Sequence, residues 1–178
     1  MSEENPVPAP IDWSQLYAET FDDLARYLHR KVWDSERAHD LAQEVFVRAL
    51  EHGRTTTPER PRAWLFTIAA NLARDESKMV LRRRKHLSLI QGGAATSSEP
   101  DPIERMERES KEAAARRALE ELSERDREVL LLWDAGFNYQ EIAEQAGLAV
   151  GAIGTTLARA RRRLVEAHEA LEAKNAAH

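Results

Sequence analysis

Between Ser88 and Pro102 the chain reads SLIQGGAATSSEPDP, fifteen residues with paired Gly, paired Ser, two Pro and no sustained apolar period. Such a stretch supplies neither a helix face nor a strand to a core, so it reads as a tether. It divides a chain of 178 residues into two flanks, each the size of one small domain. Fully extended, it reaches roughly 50 Å at about 3.3 to 3.6 Å per residue. Whatever the two flanks do, they do it as separate bodies on a flexible linker.

Composition decides what the flanks are. With 42% hydrophobic and 6% aromatic residues, an abundance of Ala, Leu, Glu and Arg and few β-branched runs, both flanks favour helices, and the expected fold is all-α. The absence of cysteine excludes a disulfide scaffold and cysteine-ligated zinc and fits a reducing cytoplasm. The opening MSEENPVPAP is acidic and proline-rich, unlike a signal peptide. No apolar run approaches the roughly 20 residues that span a bilayer. A cytoplasmic protein without membrane insertion is expected, with residues 1–11 as a disordered N-terminus, helical domains over 12–87 and 111–172, a linker over 88–110 and a tail over 173–178.

The net charge of −5 argues at first against nucleic acid. Its distribution argues the other way. From Arg60 to His86 there are eight Lys or Arg against two acids, and from Gly154 to Leu164 four Arg against none. Between these basic islands, Glu99 to Glu128 holds eleven acids and seven bases, a solvated or partner-facing surface.

In the first flank, Phe21, Leu24, Ala25, Leu28 and Val32 recur at helical spacing, as do Leu41, Val45, Phe46, Ala49 and Leu50; both are core stripes. Asp40, Gln43 and Glu44, at i, i+3 and i+4, form one polar patch on the second helix. By itself the patch reads as solvated surface. After the loop GRTTTPERP, Pro61 starts a helix whose buried face is Trp64, Leu65, Ile68, Ala69 and Leu72. Its polar side carries Asn71, Arg74, Asp75 and Lys78, then the run Arg82, Arg83, Arg84, Lys85. An asparagine there can make two hydrogen bonds to a base edge, and the cations suit phosphates. Four consecutive cations exceed what a helix C-terminus needs to complement its dipole.

The second flank has clearer punctuation. Ser123 with Asp126 makes a start resembling a capping box, and the helix REVLLLWDAG ends at Gly136. Asn138 caps a helix with Glu141 at its third position, and Gly147 stops it. The last helix puts Ile153, Leu157, Ala160 and Leu164 on one face and leaves Thr155, Arg159, Arg162 and Arg163 more exposed. Helix, glycine-bearing turn and basic helix make a helix-turn-helix, although a plain helical hairpin shares the spacing.

The order DLAQEVFVRAL, PRAWLFTIAANLARD, linker, LSERDREVLLLWDAGFNYQEIAEQAGLAVGAIGTTLARARRRL resembles a bacterial RNA polymerase sigma factor of the extracytoplasmic-function (ECF) class, over nearly everything from Leu16 to Leu171. The resemblance implies a region 2 helical bundle and a region 4 helix-turn-helix on a linker, together directing core RNA polymerase to promoter DNA in transcription initiation. It implies that Asp40, Gln43 and Glu44 face the clamp helices of the largest β-type subunit, and that Asn71 contacts the upstream part of the minus-10 element. The loop with Thr55, Thr56, Thr57 and Arg60 corresponds to the segment that captures a flipped base, whose extrusion costs a few kcal/mol. Arg74, Lys78, Arg82, Arg83 and Arg84 complete the minus-10 surface. Thr67 and Ile68 stand where housekeeping sigma factors carry a tryptophan pair, which implies less forgiving melting and narrower promoter choice. An anti-sigma factor is a further expected partner, with the apolar surfaces used for polymerase as its target.

The minus-35 element is assigned to Gly154, Thr155, Thr156, Ala158, Arg159, Arg161, Arg162 and Arg163. Relatives often have Ser or Thr at this helix start and basic residues at positions 154 and 156. Here Ala149 forfeits an N-cap worth about 1 kcal/mol and Gly154 costs up to about 1 kcal/mol, while small residues at Gly154 and Ala158 permit close backbone approach. A helix that reads weakly alone is expected, dependent on a scaffold that supplies effective concentration. The acidic overall charge suppresses binding of the free chain to bulk DNA.

Two other readings compete: an autonomous helix-turn-helix regulator, which leaves the first flank without work, and a sigma-like decoy for an anti-sigma factor, against which the arginines argue. An enzyme is least expected. His29, His39, His52, His86, His168 and His178 lack metal-ligand spacing, no glycine-rich phosphate loop occurs, and no cofactor is implied.

Overall fold

Asp12 caps the first helix, its side chain accepting from the backbone N–H groups of Ser14 and Gln15 at 3.0 Å each. From there α1 runs from Trp13 to Val32 and ends at Trp33, whose left-handed backbone (φ 56°) directs its N–H to the His29 carbonyl. Helix α2, Ser35–Gly53, follows directly after this tight corner, and Asp34 receives the Arg37 N–H at 2.9 Å. Helix α3 spans Pro61–Leu87. The structure, a computed structural model, describes residues 11–53, 58–87 and 102–176, the side chains of 83–87, 102–110, 172 and 174–176 excepted. The described residues are helical apart from turns and contain no strand, as composition predicts.

Two units divide between Arg82 and Arg83. In the first, Leu24 and Leu28 of α1, Leu41 and Val45 of α2 and Leu65, Phe66 and Ala69 of α3 are fully or almost fully buried. Tyr27 meets the Phe66 ring edge-on at 5.2 Å. Two ion pairs tie α3 to its neighbours: Arg37 of α2 with Glu76 at 2.6 Å, and Arg62 with Asp23 of α1 at 3.1 Å. At the end of α2, a Cβ on Gly53 would lie 2.6 Å from the Trp13 ring, so a larger residue there would require that ring to shift.

The second unit contains α4 (Pro102–Glu120), α5 (Glu124–Asp134), α6 (Tyr139–Ala146) and α7 (Val150–Ala176). Helix α4 begins at Pro102, whereas the sequence suggests a linker through residue 110. Pro at a first helical position is preorganised and Glu104 to Arg108 are good helix formers, so charge density there reads as tether while the backbone is helical. The rest of that linker, 88–101, lies outside the described residues. Leu119, Leu122, Val129, Leu132, Phe137, Ile142, Ile153, Leu157 and Ala160 form the core. Both expected caps form. Ser123 Oγ accepts from the Asp126 N–H at 3.1 Å, and Asn138 and Glu141 exchange two bonds of 3.0 Å. Gly147 closes α6 at φ 64°, and the Leu148 N–H reaches back to the Ala143 carbonyl at 2.9 Å. Through this turn α6 and α7 form the helix-turn-helix.

Candidate nucleic-acid and partner interfaces

On α2 the helical repeat that buries Leu41, Ala42, Val45, Phe46 and Ala49 turns Asp40 and Gln43 fully outward. Glu44 is half-buried and bonds Arg48 one turn on, at 2.6 Å. Asp40 and Gln43 are thus exposed on this face, and Glu44 shares it while paired with Arg48. The same face continues into Val47, 54% exposed, and Leu50, 45% exposed. Val47 lies outside the core stripe read from the sequence, and Leu50, expected in that stripe, is instead surface. Exposed apolar side chains bordered by acids mark an association surface better than either feature alone.

On α3, Thr67, Asn71, Arg74, Lys78 and Arg82 are exposed along one side, opposite Leu65, Phe66, Ala69, Leu72 and Ala73. Thr67 donates to the Ala63 carbonyl at 3.1 Å and Ile68 is half-buried. Arg74 donates to the Asn71 side-chain oxygen at 3.1 Å, and Lys78 lies 3.6 Å from Asp75. Asn71 thus has an orienting neighbour one turn away. Arg60 is exposed at the entrance to α3, where its carbonyl accepts the Trp64 N–H at 3.0 Å. Thr55, Thr56 and Thr57, and the side chains of Arg83 and Arg84, lie outside the described residues.

Helix α7 sorts its residues into three strips. Gly151, Thr155, Ala158 and Arg162 are exposed along the outward ridge, and Arg162 has a 71% exposed side chain 3.7 Å from Glu166. On one flank, Arg161 sits 5.4 Å from the Trp133 ring, which is 5.5 Å from Tyr139. Tyr139 leans over Gly154, to within 3.6 Å of where a Cβ would stand. Gly154 is therefore a flank position beneath an aromatic ring, whereas Ala158 is exposed on the ridge. Thr156 is a correction: only 4% exposed, it is buried as Ile153 and Leu157 are, because its place in the 3.6-residue period is nearer the core than the ridge.

The opposite flank holds a charged cluster that spans α5 and α7. Arg159 donates from Nε to Asp126 Oδ2 at 3.2 Å and from Nη2 to Oδ1 at 2.5 Å, and Arg163 reaches Oδ2 at 3.4 Å. The Asp126 side chain is 1% exposed, while those of Arg159 and Arg163 are 42% and 49% exposed. The Arg159 hydrogen bonds hold the Asp126 carboxyl below its ordinary range against the opposing effect of burial, with the Arg159 charge, Ser123 and Arg163 adding to the lowering. A carboxyl whose folded pKa is depressed contributes stability above its unfolded value and loses that contribution as pH falls through the folded one. The difference in thermal midpoint between the wild type and Asp126→Asn should accordingly be full near about pH 6 and shrink below about pH 4. A difference independent of pH would show that the charge does not carry it.

These faces meet independent comparisons. Residues 16–86 match the family description Sigma-70 region 2 and residues 112–164 match Sigma-70, region 4. The chain is 36% identical over 133 residues to the ECF RNA polymerase sigma factor EcfG of Rhodopseudomonas palustris, covering 74% of this chain and 71% of that one. The chain belongs to the ECF sigma factors. The ECF factor SigL of Mycobacterium tuberculosis is 34% identical, with 80% of each chain covered. Among solved structures, CnrH in complex with the cytosolic domain of CnrY superposes with a TM-score of 0.63 at 28% identity, covering 89% of this chain and 88% of that one. The sigma factor RpoE from Bartonella quintana, solved with the anti-sigma factor NepR, shares the fold with a TM-score of 0.65 at 24% identity and coverage of 89% and 97%. As an alternative sigma factor, this ECF protein directs transcription initiation through core polymerase and promoter DNA. No helix among its described residues is long and apolar enough to cross a membrane.

Proposed function

We propose that three exposed faces divide the work of this sigma factor: the α2 face with Asp40, Gln43 and Glu44 docks core polymerase, α3 reads the minus-10 element through Asn71, and α7 lies against the minus-35 element. The observation that supports this most is that these faces come from different helices and each is exposed opposite a buried stripe. Val47 and Leu50 give the polymerase face an apolar centre, and Asp40 with Glu44 gives it charge complementary to basic partners. Arg74, Lys78 and Arg82, together with the Arg83 and Arg84 that follow in sequence, track phosphates, and the loop of Thr55, Thr56, Thr57 and Arg60 receives a flipped base. Thr67 and Ile68, in place of a tryptophan pair, restrict melting to promoters that open readily. On α7 the ridge of Thr155, Ala158 and Arg162 enters the groove, while Arg159, Arg161 and Arg163 contact from its flanks.

An anti-sigma factor that covered Val47 and Leu50 would block polymerase directly, and a partner of this kind is in keeping with CnrH, solved in complex with the cytosolic domain of CnrY. The chain works in the cytoplasm, where polymerase is, and performs no catalysis of its own. An autonomous regulator would leave the α2 face unused.

Run-off transcription with core polymerase on a promoter library tests the assignment. Asn71→Ala is expected to change preference at one minus-10 position by about 1 to 3 kcal/mol, the worth of a good base contact. Arg82→Ala should weaken all promoters alike and lower the salt slope by about 1. Equal losses on every promoter variant with Asn71→Ala would remove α3 from base reading.

A further inference from the structure

Asp126 is not explained by DNA binding as such. A carboxylate beneath a basic helix subtracts charge from a surface that faces phosphates, and a buried carboxylate is tolerated only when paired and hydrogen-bonded. Capping accounts for only part of it: Ser123 caps α5 through the Asp126 backbone N–H, which any residue but proline supplies, and the carboxylate adds its own interaction with the Ser123 side chain. What the carboxylate does distinctively is grip guanidinium groups from residues 33 and 37 positions away in sequence.

The grip leaves a usable edge. Arg159 commits Nε and one Nη2 hydrogen to Asp126. Its two Nη1 hydrogens and the second Nη2 hydrogen remain on the edge turned away from the carboxylate. A free arginine must be ordered on binding, at an entropic cost; here the planar group is already fixed and its side chain is still 42% exposed. Two parallel N–H donors in a rigid plane match two adjacent acceptors, which in the major groove are O6 and N7 of guanine. Arg163 contacts the same Oδ2 at 3.4 Å, and two guanidinium charges against one carboxylate leave the cluster cationic towards DNA.

We propose that Asp126 is a positioning residue for promoter recognition, holding Arg159 as a fixed fork whose free edge reads a guanine in the minus-35 element. The proposal rests on α7 as the minus-35 helix. It sets Arg159 apart from Arg162, which extends from the outward ridge beside the exposed Glu166 and suits phosphate contact.

The test uses holoenzyme assembled from the full chain and core polymerase, with a promoter library randomised across the minus-35 element, sequencing the bound fraction. Wild type is expected to prefer guanine at one position. Asp126→Asn should reduce that preference about ten-fold and leave other positions unchanged. Binding of the full chain to a mixed-sequence duplex should hold or rise, with a steeper salt dependence, because a negative charge has gone. A role confined to folding would instead lower all positions together. Arg159→Lys keeps the charge but cannot form the fork, so it should lose preference at the same position, and it serves if Asp126→Asn does not fold. Guanine preference intact in the folded variants, or loss spread evenly over the element, overturns the positioning role. If wild type shows no base preference anywhere in the element, the assignment of α7 fails first and the proposal with it.

Discussion

Phe66→Ala is expected to remove about 3 to 5 kcal/mol from the stability of the first unit. The ring is fully buried, edge-on to Tyr27 at 5.2 Å and beneath the Arg62 guanidinium at 5.3 Å. Truncation would leave a cavity, strip Tyr27 of its aromatic partner and deprive Arg62 of the surface that supports its ion pair with Asp23. Since small domains have only about 5 to 15 kcal/mol in total, much of the unit would unfold near physiological temperature, and transcription would fall with it. Urea denaturation followed by circular dichroism measures the change. A loss below about 1 kcal/mol would mean that the helices close over the gap.

Lysine at both Gln43 and Val47 is expected to weaken binding to core polymerase at least about 100-fold, or about 2.7 kcal/mol. Both positions are exposed, so helicity and thermal midpoint should stay close to wild type, as surface substitutions ordinarily leave them within about 0.5 kcal/mol. The effect comes from a charge placed at the apolar centre of the face, where interfaces concentrate their energy, and from reversal of the local potential set by Asp40 and Glu44. Competition with unaltered sigma factor for core polymerase gives the affinity. If the double variant competes as well as wild type, the α2 face is not the docking surface.

Features that depend on local chemistry are legible in the amino-acid sequence alone. Asn138 and Glu141 three residues apart can satisfy each other's backbone groups, and Gly147 can take a left-handed turn without strain; both do so. The buried stripes follow from 3.6-residue periodicity, and so does the exposure of Asn71, Arg74 and Lys78. Thr156 follows it too, and its burial overrides only the minus-35 role that the resemblance implies; Leu50 departs from it because periodicity fixes a helical angle only to within a residue or so, and a position at the margin of the stripe is settled by the neighbouring helix. Asp126 reads as a helix-start acid because its arginines are more than thirty residues distant. Only the crossing of α7 over α5 brings them together, and no spacing rule encodes that. Val47 is hidden for the opposite reason: its chemistry is plain, but the sequence does not say that it is left more than half exposed among the described residues.

Of the four tryptophans, Trp13, Trp33 and Trp64 precede Arg82 and Trp133 alone lies in the second unit. Its indole is 38% exposed, with the Arg161 guanidinium on one side and the Tyr139 ring near it. A cation held against an indole face alters the energy of its excited state, and that contact depends on where the cation resides. With phenylalanine in place of the other three, the molecule would carry an intrinsic optical probe beside the helix-turn-helix. Its emission would follow the departure of Arg161 towards a phosphate in real time, without any attached dye, and so separate the arrival of DNA at the second unit from events at the first.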